Sequence, residues 1–300
     1  MSALAAEERD FYAGLTERNA GVIAADVQAT LARATIVVAG CGSIGGAAVE
    51  PLARLGARDL RLADPGEYEL NNLNRQNAVY DDLGRNKARV AAERVRAINP
   101  HARVQVFADG VSAACVDELL EGADVIVDGV DVTTDAGLRA KYLLHVHACA
   151  RRLPLLTGWD MAGAQYVRVY DYRRLRQVFD GQIERADLDR LNGWQILRRL
   201  VPARFVPLEM VTLARANLTN PDFSFPQLVH AADLFGAMAS HVVTQLLAGA
   251  PVREHICVDL HQQARPTSAR WRVRAELPLQ VAGTLAALRR SARRSTPNNA

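Results

Sequence analysis

Apolar and polar residues are distributed along the first half of the chain in a pattern that predicts strands and helices in turn. A short apolar, β-branched run predicts a buried strand at residues 35–40, and further strands are predicted at residues 59–64 and 123–130. Residues 102–108 alternate like a strand. The segments between them have helical spacing, most clearly at residues 86–99, before Pro100. Strands that alternate with helices form a mostly parallel sheet with right-handed crossovers. The pattern therefore predicts an α/β fold with a Rossmann-like, mostly parallel sheet and helices on both faces.

The whole chain divides into five segments of different character. Residues 1–33 predict an N-terminal helical arm, and residues 34–172 contain the Rossmann-like core. Residues 173–225 are rich in arginine and lack a sharp period, which predicts a helical insertion that could recognise a partner or substrate. Residues 226–285 contain a helix and a late strand, so a C-terminal α+β extension is expected to complete the fold. Residues 286–300 are predicted to be a flexible basic tail.

Composition narrows the class of protein. The chain has 300 residues, of which 49% are hydrophobic and 23% charged, as in an ordinary globular protein. It contains no apolar run of about 18 residues and no apolar signal core near its start, so we expect a cytoplasmic protein that does not enter membranes. Its four cysteines never form a C-x-x-C pair, which argues against a disulfide framework. The net charge of +3 is too small to indicate nucleic-acid binding.

A glycine-rich turn follows the first predicted strand. Gly40, Gly42 and Gly45 form the pattern G-x-G-x-x-G, with Ser43 between them, where a strand passes into a helix. Such glycines allow a tight turn, close approach to a phosphate and close packing of helix on strand. Asp64 ends the next strand, where a carboxylate can accept hydrogen bonds from ribose hydroxyls. The pattern predicts nucleotide binding, but it suits NAD, FAD and ATP equally.

The loop at residues 64–76 favours ATP chemistry over hydride transfer. It brings several asparagines and Arg75 beside the expected phosphate path. A dehydrogenase leaves its pyrophosphate intact, whereas an adenylating enzyme must neutralise a departing pyrophosphate. Arg75 and Lys87, one of only two lysines in the chain, are the cations that we assign to this role. The alternative is that both are solvated surface charges.

A second acidic residue follows a buried strand of the core. Asp131 closes the sequence V-D-G-V-D at the carboxyl end of that strand, where open α/β sheets bind ligands. It is a candidate ligand of Mg²⁺, directly or through water, beside the phosphates of the nucleotide. The alternative is that Asp131 caps the helix that follows.

Six motifs in this order resemble the ThiF/MoeB family of adenylyltransferases, which are related to ubiquitin-activating enzymes. They are G-C-G-S-I-G-G, L-A-D, L-N-N-L-N-R-Q, G-R-N-K-A, I-N-P and V-D-G-V-D, and they cover about residues 17–172. The resemblance implies ATP-dependent adenylation of a carboxylate, with Asp64 on the ribose. It also implies that Asn72, Arg75 and Lys87 surround the phosphates and that Asp131 is the magnesium ligand and catalytic acid.

The resemblance implies partners as well as cofactors. ATP and Mg²⁺ would be the cofactors, and the substrate would be a small carrier protein or peptide with a free C-terminal carboxylate. The family usually forms homodimers in which an N-terminal arginine reaches the partner's site, and Arg18 occupies the matching place.

The chain also departs from the family pattern at several positions. It lacks the two C-x-x-C pairs that hold zinc in many members, which places it in a non-zinc branch. It has no cysteine between Arg151 and Ile256, so a thioester step on that crossover lacks its thiol. Arg139 is the candidate for the arginine that the family carries after Asp131.

Two other functions remain open from the sequence. An NAD(P)- or FAD-binding oxidoreductase would use the same glycine turn, although no hydride-transfer constellation supports it. A non-catalytic nucleotide-binding scaffold is consistent with the missing crossover cysteine. His145 and His147 are interpreted as surface or partly buried histidines, and Trp159 and Asp160 either approach the substrate end of the site or pack in the core.

Overall fold

The computed structural model describes residues 3–218, 220, 223 and 225–294. The strands are β1 (Thr35–Ala39), β2 (Asp59–Ala63), β3 (Arg103–Phe107), β4 (Val125–Asp128), β5 (Pro154–Met161), β6 (Ala164–Asp171) and β7 (His255–Asp259). The helices are α1 (Ala3–Thr16), α2 (Ala25–Arg33), α3 (Gly45–Leu55), α4 (Lys87–Ile98), α5 (Val116–Leu120), α6 (Asp135–Arg151), α7 (Asp187–Arg190), α8 (Gly193–Leu200), α9 (Leu208–Ala216), α10 (Val229–Leu247), α11 (Leu260–Ala264) and α12 (Thr267–Arg294). Short 3₁₀ turns lie at Glu17–Asn19, Leu70–Asn72, Tyr80–Asp82, Val178–Gly181 and Ala203–Phe205.

The seven strands form one sheet in the order β3-β2-β1-β4-β5-β6-β7. The first five in this order are parallel, and β6 and β7 are antiparallel to their neighbours. This confirms the predicted Rossmann-like, mostly parallel sheet. The chain leaves β1 toward β2 on one side and returns to β4 on the other, so β1 and β4 flank the switch point of the topology. In open α/β sheets, ligands bind at the carboxyl ends of the strands at that point.

Strand β1 is buried because both faces of the sheet are covered. Ile36 and Val38 pack on the side of α3, α4 and α10, whereas Val37 and Ala39 pack on the side of α5 and α6. Successive side chains of a strand point to opposite faces, so a strand covered on both sides is apolar throughout. Each such side chain contributes about 1.5–3 kcal/mol on burial.

Helix α3 contains Pro51, where the sequence predicts a kink or a local loosening, yet the helix runs from Gly45 to Leu55 without a break. Proline lacks the N–H that would bond the carbonyl four residues earlier, here that of Ala47. Gly236 of α10 lies directly against this carbonyl oxygen, and a Cβ at position 236 would overlap it. The two helices can therefore pack closely where Pro51 leaves the backbone unpaired.

The N-terminal arm docks on the C-terminal end of α3. The Tyr12 hydroxyl of α1 donates to the carbonyl of Gly56 at 3.1 Å, and Gln28 of α2 donates to the carbonyl of Leu55 at 2.9 Å. These bonds satisfy carbonyls that the end of a helix leaves without partners.

The C-terminal part of the chain differs from the sequence-based prediction. Residues 286–300 were expected to form a flexible basic tail, and helix α12 continues through residues 286–294 of this segment; residues 295–300 lie outside the described part. Residues 286–294 consist mainly of alanine and arginine, which favour helix, and α12 packs against α9. Within the described residues, none of the helices combines the length and apolar character needed to span a bilayer.

Candidate nucleotide-binding site

The glycine turn between β1 and α3 closes against the end of β4. Gly40 has a φ of +82°, and a Cβ there would overlap the carbonyl of Gly129. A Cβ at Gly45 would overlap the carbonyl of Gly40. Gly42 is different, because a Cβ there would meet only the amide of Gln76, at 3.7 Å. Two of the three glycines therefore shape the turn itself, and the third leaves one face of the turn accessible.

Asp64 ties this turn to the end of β2. Its Oδ2 accepts a hydrogen bond from the Cys41 N–H at 2.6 Å, and its Oδ1 accepts one from the Gly66 N–H at 2.7 Å. Burial raises the pKa of the Asp64 carboxyl, and these backbone donors and the charge of Lys87 oppose the shift. Each oxygen keeps a second lone pair, so the same carboxylate can hold the loop and accept a hydrogen bond from a ribose hydroxyl.

Lys87 begins α4 and extends toward Asp64. Asn86 caps the helix by accepting a hydrogen bond from the Arg89 N–H at 3.1 Å. The Lys87 Nζ lies 5.8 Å from the centre of the Tyr68 ring. Its charge lowers the pKa of both Asp64 and Cys41, although burial outweighs it at each. Lys87 therefore faces the carboxyl edge of β1 and β2.

Asn72 lies inside its loop. Its Oδ1 accepts a hydrogen bond from the Glu69 N–H at 3.1 Å, and its amide donates to Asn71 at 2.7 Å. The side chain is buried. Asn72 thus holds the 3₁₀ turn, and its contact with the phosphates, which the sequence resemblance implied, stays a prediction.

Arg75 lies on the same loop and faces two carboxylates. Its Nε donates to the Gln227 side chain at 2.5 Å, and its Nη1 donates to the Asn71 carbonyl at 2.8 Å. Burial lowers the pKa of the guanidinium, and the negative charges of Asp160 and Asp131 oppose that shift. Arg75 is therefore anchored next to the ends of β4 and β5, and it is not a freely solvated charge.

Asp131 is exposed just beyond β4. Its two oxygens accept hydrogen bonds from the N–H and the hydroxyl of Thr133, at 2.9 and 2.7 Å. Thr134 caps α6 by accepting a hydrogen bond from the Gly137 N–H, so the interpretation of Asp131 as the helix cap was wrong.

The position of Asp131 fits a magnesium ion held jointly with phosphates. In the described part of the chain, no three His, Cys, Asp or Glu side chains converge as a metal site. Magnesium at nucleotide sites is commonly held by one or two carboxylates together with substrate phosphates and water. Asp131, which is exposed at this sheet edge, can provide such a carboxylate.

Asp160, at the end of β5, is a site residue that the sequence reasoning left undecided. The Ser43 hydroxyl donates to its Oδ2 at 2.7 Å, while its Oδ1 is buried and without a hydrogen-bond partner within the described chain. Burial raises the pKa of this carboxyl to about 6, against the effects of Ser43 and Arg75. The sequence feature that could have identified Asp160 was its position at the end of a strand, at the same sheet edge as Asp64 and Asp131.

A buried polar network supports the turn after β4. The Lys141 Nζ lies 2.6 Å from the Asp128 Oδ2 and donates to the Thr157 hydroxyl at 2.9 Å. The His145 Nε2 lies 2.9 Å from the same Asp128 oxygen, and its Nδ1 lies 2.7 Å from the Tyr172 hydroxyl. Lys141 and His145 outweigh burial and hold the pKa of Asp128 below its ordinary value.

Two sequence-based assignments change because of this network. His145 is fully buried and is not a surface histidine. Arg139 is exposed and pairs with Asp189 at 2.5 Å, so the cation beside Asp128 is Lys141. The sequence feature that could have predicted this network was the spacing of Lys141 and His145, which are four residues apart on one face of α6.

Arg18 is remote from the site of its own chain. It is exposed on the turn Glu17–Asn19, and the neighbouring Asn19 donates to the Leu55 carbonyl at the end of α3. The glycine turn lies at the opposite end of that helix, roughly 16 Å away along its axis. Within one chain, Arg18 and Arg75 are therefore not brought together.

This geometry is characteristic of the Rossmann-like class of nucleotide-binding folds. A glycine turn at the switch point faces an acidic residue just after β2 and a lysine at the start of α4. Residues 16–191 match the model of the ThiF family, and the chain belongs to that family.

Curated relatives are similar to part of the chain. An uncharacterized protein of Mycobacterium tuberculosis, MT1398, is 37% identical over 186 residues, which are 62% of this chain and 25% of that protein. The sulfur carrier protein adenylyltransferase of Thermus thermophilus is 31% identical over 133 residues, which are 44% of this chain and 47% of that protein. The chain thus spans less than half the length of these relatives.

A solved structure shares the fold over a longer stretch. The Escherichia coli tRNA N6-threonylcarbamoyladenosine dehydratase, TcdA, in complex with ATP superposes with a TM-score of 0.57 at 23% identity. The match covers 80% of this chain and 96% of that one.

Proposed function

We propose that the chain adenylates a carboxylate with ATP, forming an acyl-adenylate and pyrophosphate. The observation that carries the proposal is the pair of anchored cations, Arg75 and Lys87, at the carboxyl edge of the sheet beside the glycine turn. Developing negative charge on a leaving pyrophosphate is stabilised by fixed cations in a partly buried site. Hydride transfer has no need of them, which favours adenylation over the oxidoreductase alternative.

The reaction follows from where these groups lie. An oxygen of the substrate carboxylate attacks the α-phosphorus in line, and the bond from that phosphorus to the bridging oxygen of the β-phosphate breaks. The electron pair leaves with pyrophosphate, whose charge Arg75 and Lys87 balance. Asp64 accepts a hydrogen bond from the ribose. A magnesium ion held by Asp131 would supply further positive charge to the phosphates.

The proposed substrate is a small carrier protein or peptide with a free C-terminal carboxylate. The name of the Thermus relative, a sulfur carrier protein adenylyltransferase, supports this class. The arginine-rich segment at residues 173–225, which includes α7, α8 and α9, is the proposed recognition surface, because its cations would attract an acidic partner. We further propose a homodimer acting in the cytoplasm.

Calorimetric binding of Mg·ATP and of NAD tests the proposal. We expect Mg·ATP to bind while NAD does not, and Arg75→Ala and Asp131→Ala to weaken Mg·ATP by about tenfold or more, because each removes a charged contact. Arg89→Ala is the matched control, since Arg89 is an exposed arginine on α4. If the protein binds NAD tightly and does not bind ATP, the result would instead support an oxidoreductase. If it binds ATP and neither Arg75→Ala nor Asp131→Ala weakens that binding, the result would favour a scaffold.

A further inference from the structure

Asp160 brings a carboxylate to the part of the glycine turn where phosphates would bind. Its Oδ2 receives the Ser43 hydroxyl at 2.7 Å. Ser43 lies two residues before the start of α3, and the backbone N–H groups of such a turn and helix start attract anions. A phosphate bound there would be close to the negative charge of Asp160.

The second oxygen of Asp160 points to a ligand. Oδ1 is buried and has no hydrogen-bond partner in the described part of the chain. Buried polar atoms in native proteins are nearly always paired, because an unpaired one costs free energy. An unpaired, buried carboxylate oxygen at the end of β5 therefore indicates that something else completes this part of the site.

The positive charge close to Asp160 itself is limited. Arg75 is the cation whose charge acts on Asp160, and it is shared with Asp131. A bound nucleotide adds further negative charge, and like charges a few ångströms apart repel strongly where water is partly excluded. A nucleotide that binds there must therefore carry a cation on its phosphates, or Asp160 repels it.

We propose that Asp160 is a specificity-determining residue that selects nucleotide whose phosphates already carry a divalent cation, by repelling uncomplexed ATP. The inference rests on the proposed function only in that the site binds ATP. The carboxylate discriminates by its charge, while Ser43 holds it in place. Complexed ATP avoids the penalty, because the cation offsets the charge of the phosphates that face Asp160.

Several polar and titratable groups surround Asp160, and an experiment must separate the effect of its charge from theirs. Ser43 faces it from the glycine turn, Arg75 from its loop and Gln165 across the register of β6. Lys141 of α6 contacts the other face of β5, through Thr157. Near the turn from β5 to β6 lie two histidines, His230 of α10 and His261 of α11. The surrounding groups are the same in the wild type and in Asp160→Asn. A comparison of the two proteins therefore removes the effect of their titration on binding.

The test measures ATP binding with magnesium and with EDTA at pH 8. We expect Asp160→Asn to tighten binding of magnesium-free ATP by about tenfold and to change Mg·ATP binding by less than about threefold. Asp109→Asn removes an exposed carboxylate after β3 and controls for a general change in net charge.

A pH series on the wild type gives a second, independent result. Because the pKa of Asp160 is raised to about 6 by burial, its charge is present at pH 8 and mostly absent at pH 5. Binding of magnesium-free ATP should therefore tighten in the wild type, relative to Asp160→Asn, as the pH falls through 6. If Asp160→Asn does not fold, the reference becomes Asp160→Ser.

Two outcomes contradict the proposal in different ways. If ATP binds but its magnesium dependence and pH profile are the same in wild type and Asp160→Asn, Asp160 has no role in selection, and the proposed function is unaffected. If ATP does not bind under any condition, the proposed function fails and the inference fails with it.

Discussion

His145 shows how a single residue couples stability to pH in this molecule. Burial lowers the pKa of its imidazole to about 4, so the ring is neutral at pH 7. The Tyr172 hydroxyl accepts from the Phe179 N–H at 3.0 Å and is free to donate its own proton to the His145 Nδ1. The Nε2–H then donates to Asp128. A protonated ring would have two donors and would leave the Tyr172 proton without its acceptor.

The free energy of unfolding should consequently fall as the solution is acidified from pH 6.5 to 4. In that window the unfolded state protonates His145 while the folded state does not, which costs roughly 3 kcal/mol by pH 4 as an upper estimate. Asp160 has the opposite sign, because its raised pKa favours the folded state as the pH falls below 6.

Urea unfolding across this range should show a shallower pH dependence for His145→Gln than for the wild type. His147→Gln, two residues away on the exposed side of α6, is the control and should follow the wild type. Equal pH slopes in all three proteins would mean that His145 is not held neutral.

At the scale of elements, the sequence predicted the strands and the glycine turn well, because each depends on local pattern. Four short runs with strand character reappear as β1 to β4, and β3, at the edge of the sheet, keeps exposed polar residues. The unbroken α3 was not predictable, because the sequence does not show that Gly236 packs against the carbonyl left unpaired by Pro51. Lys141 was missed and Asp160 was left undecided for a similar reason: their contacts are with partners 13 and 117 residues away, at Asp128 and Ser43.

The contact between α3 and α10 makes a prediction at the same scale. Gly236→Ala places a methyl group on the Ala47 carbonyl, and the two helices must separate to accept it, which should lower the free energy of unfolding by about 1–3 kcal/mol. Gly14→Ala is the control: this glycine lies in α1 with nothing near its Cβ position, so alanine should raise stability by about 0.5–1 kcal/mol. Denaturant titrations measure both. Similar stabilisation by the two substitutions would show that α10 has room to move.

At the scale of the whole molecule, the position of Arg18 bears directly on assembly. Arg18 lies at the end of α3 that points away from the glycine turn, so it can approach a nucleotide only in a second copy of the chain. The sequence resemblance implied this arrangement. The structure of a single chain shows only that Arg18 does not reach the site of its own chain. In the proposed homodimer, Arg18 of one chain would act at the site of the other.

Mixed dimers test this arrangement through the number of tight Mg·ATP sites. Arg18→Ala and Arg75→Ala should each remove tight binding when pure. In an equal mixture, half of the dimers combine the two chains, and the Arg18→Ala chain then has its own Arg75 together with an intact arginine from its partner. One site in each mixed dimer is complete, so about a quarter of all sites should bind tightly after subunit exchange. If Arg18 acted within its own chain, mixing would restore nothing; if it had no role, pure Arg18→Ala would bind like the wild type.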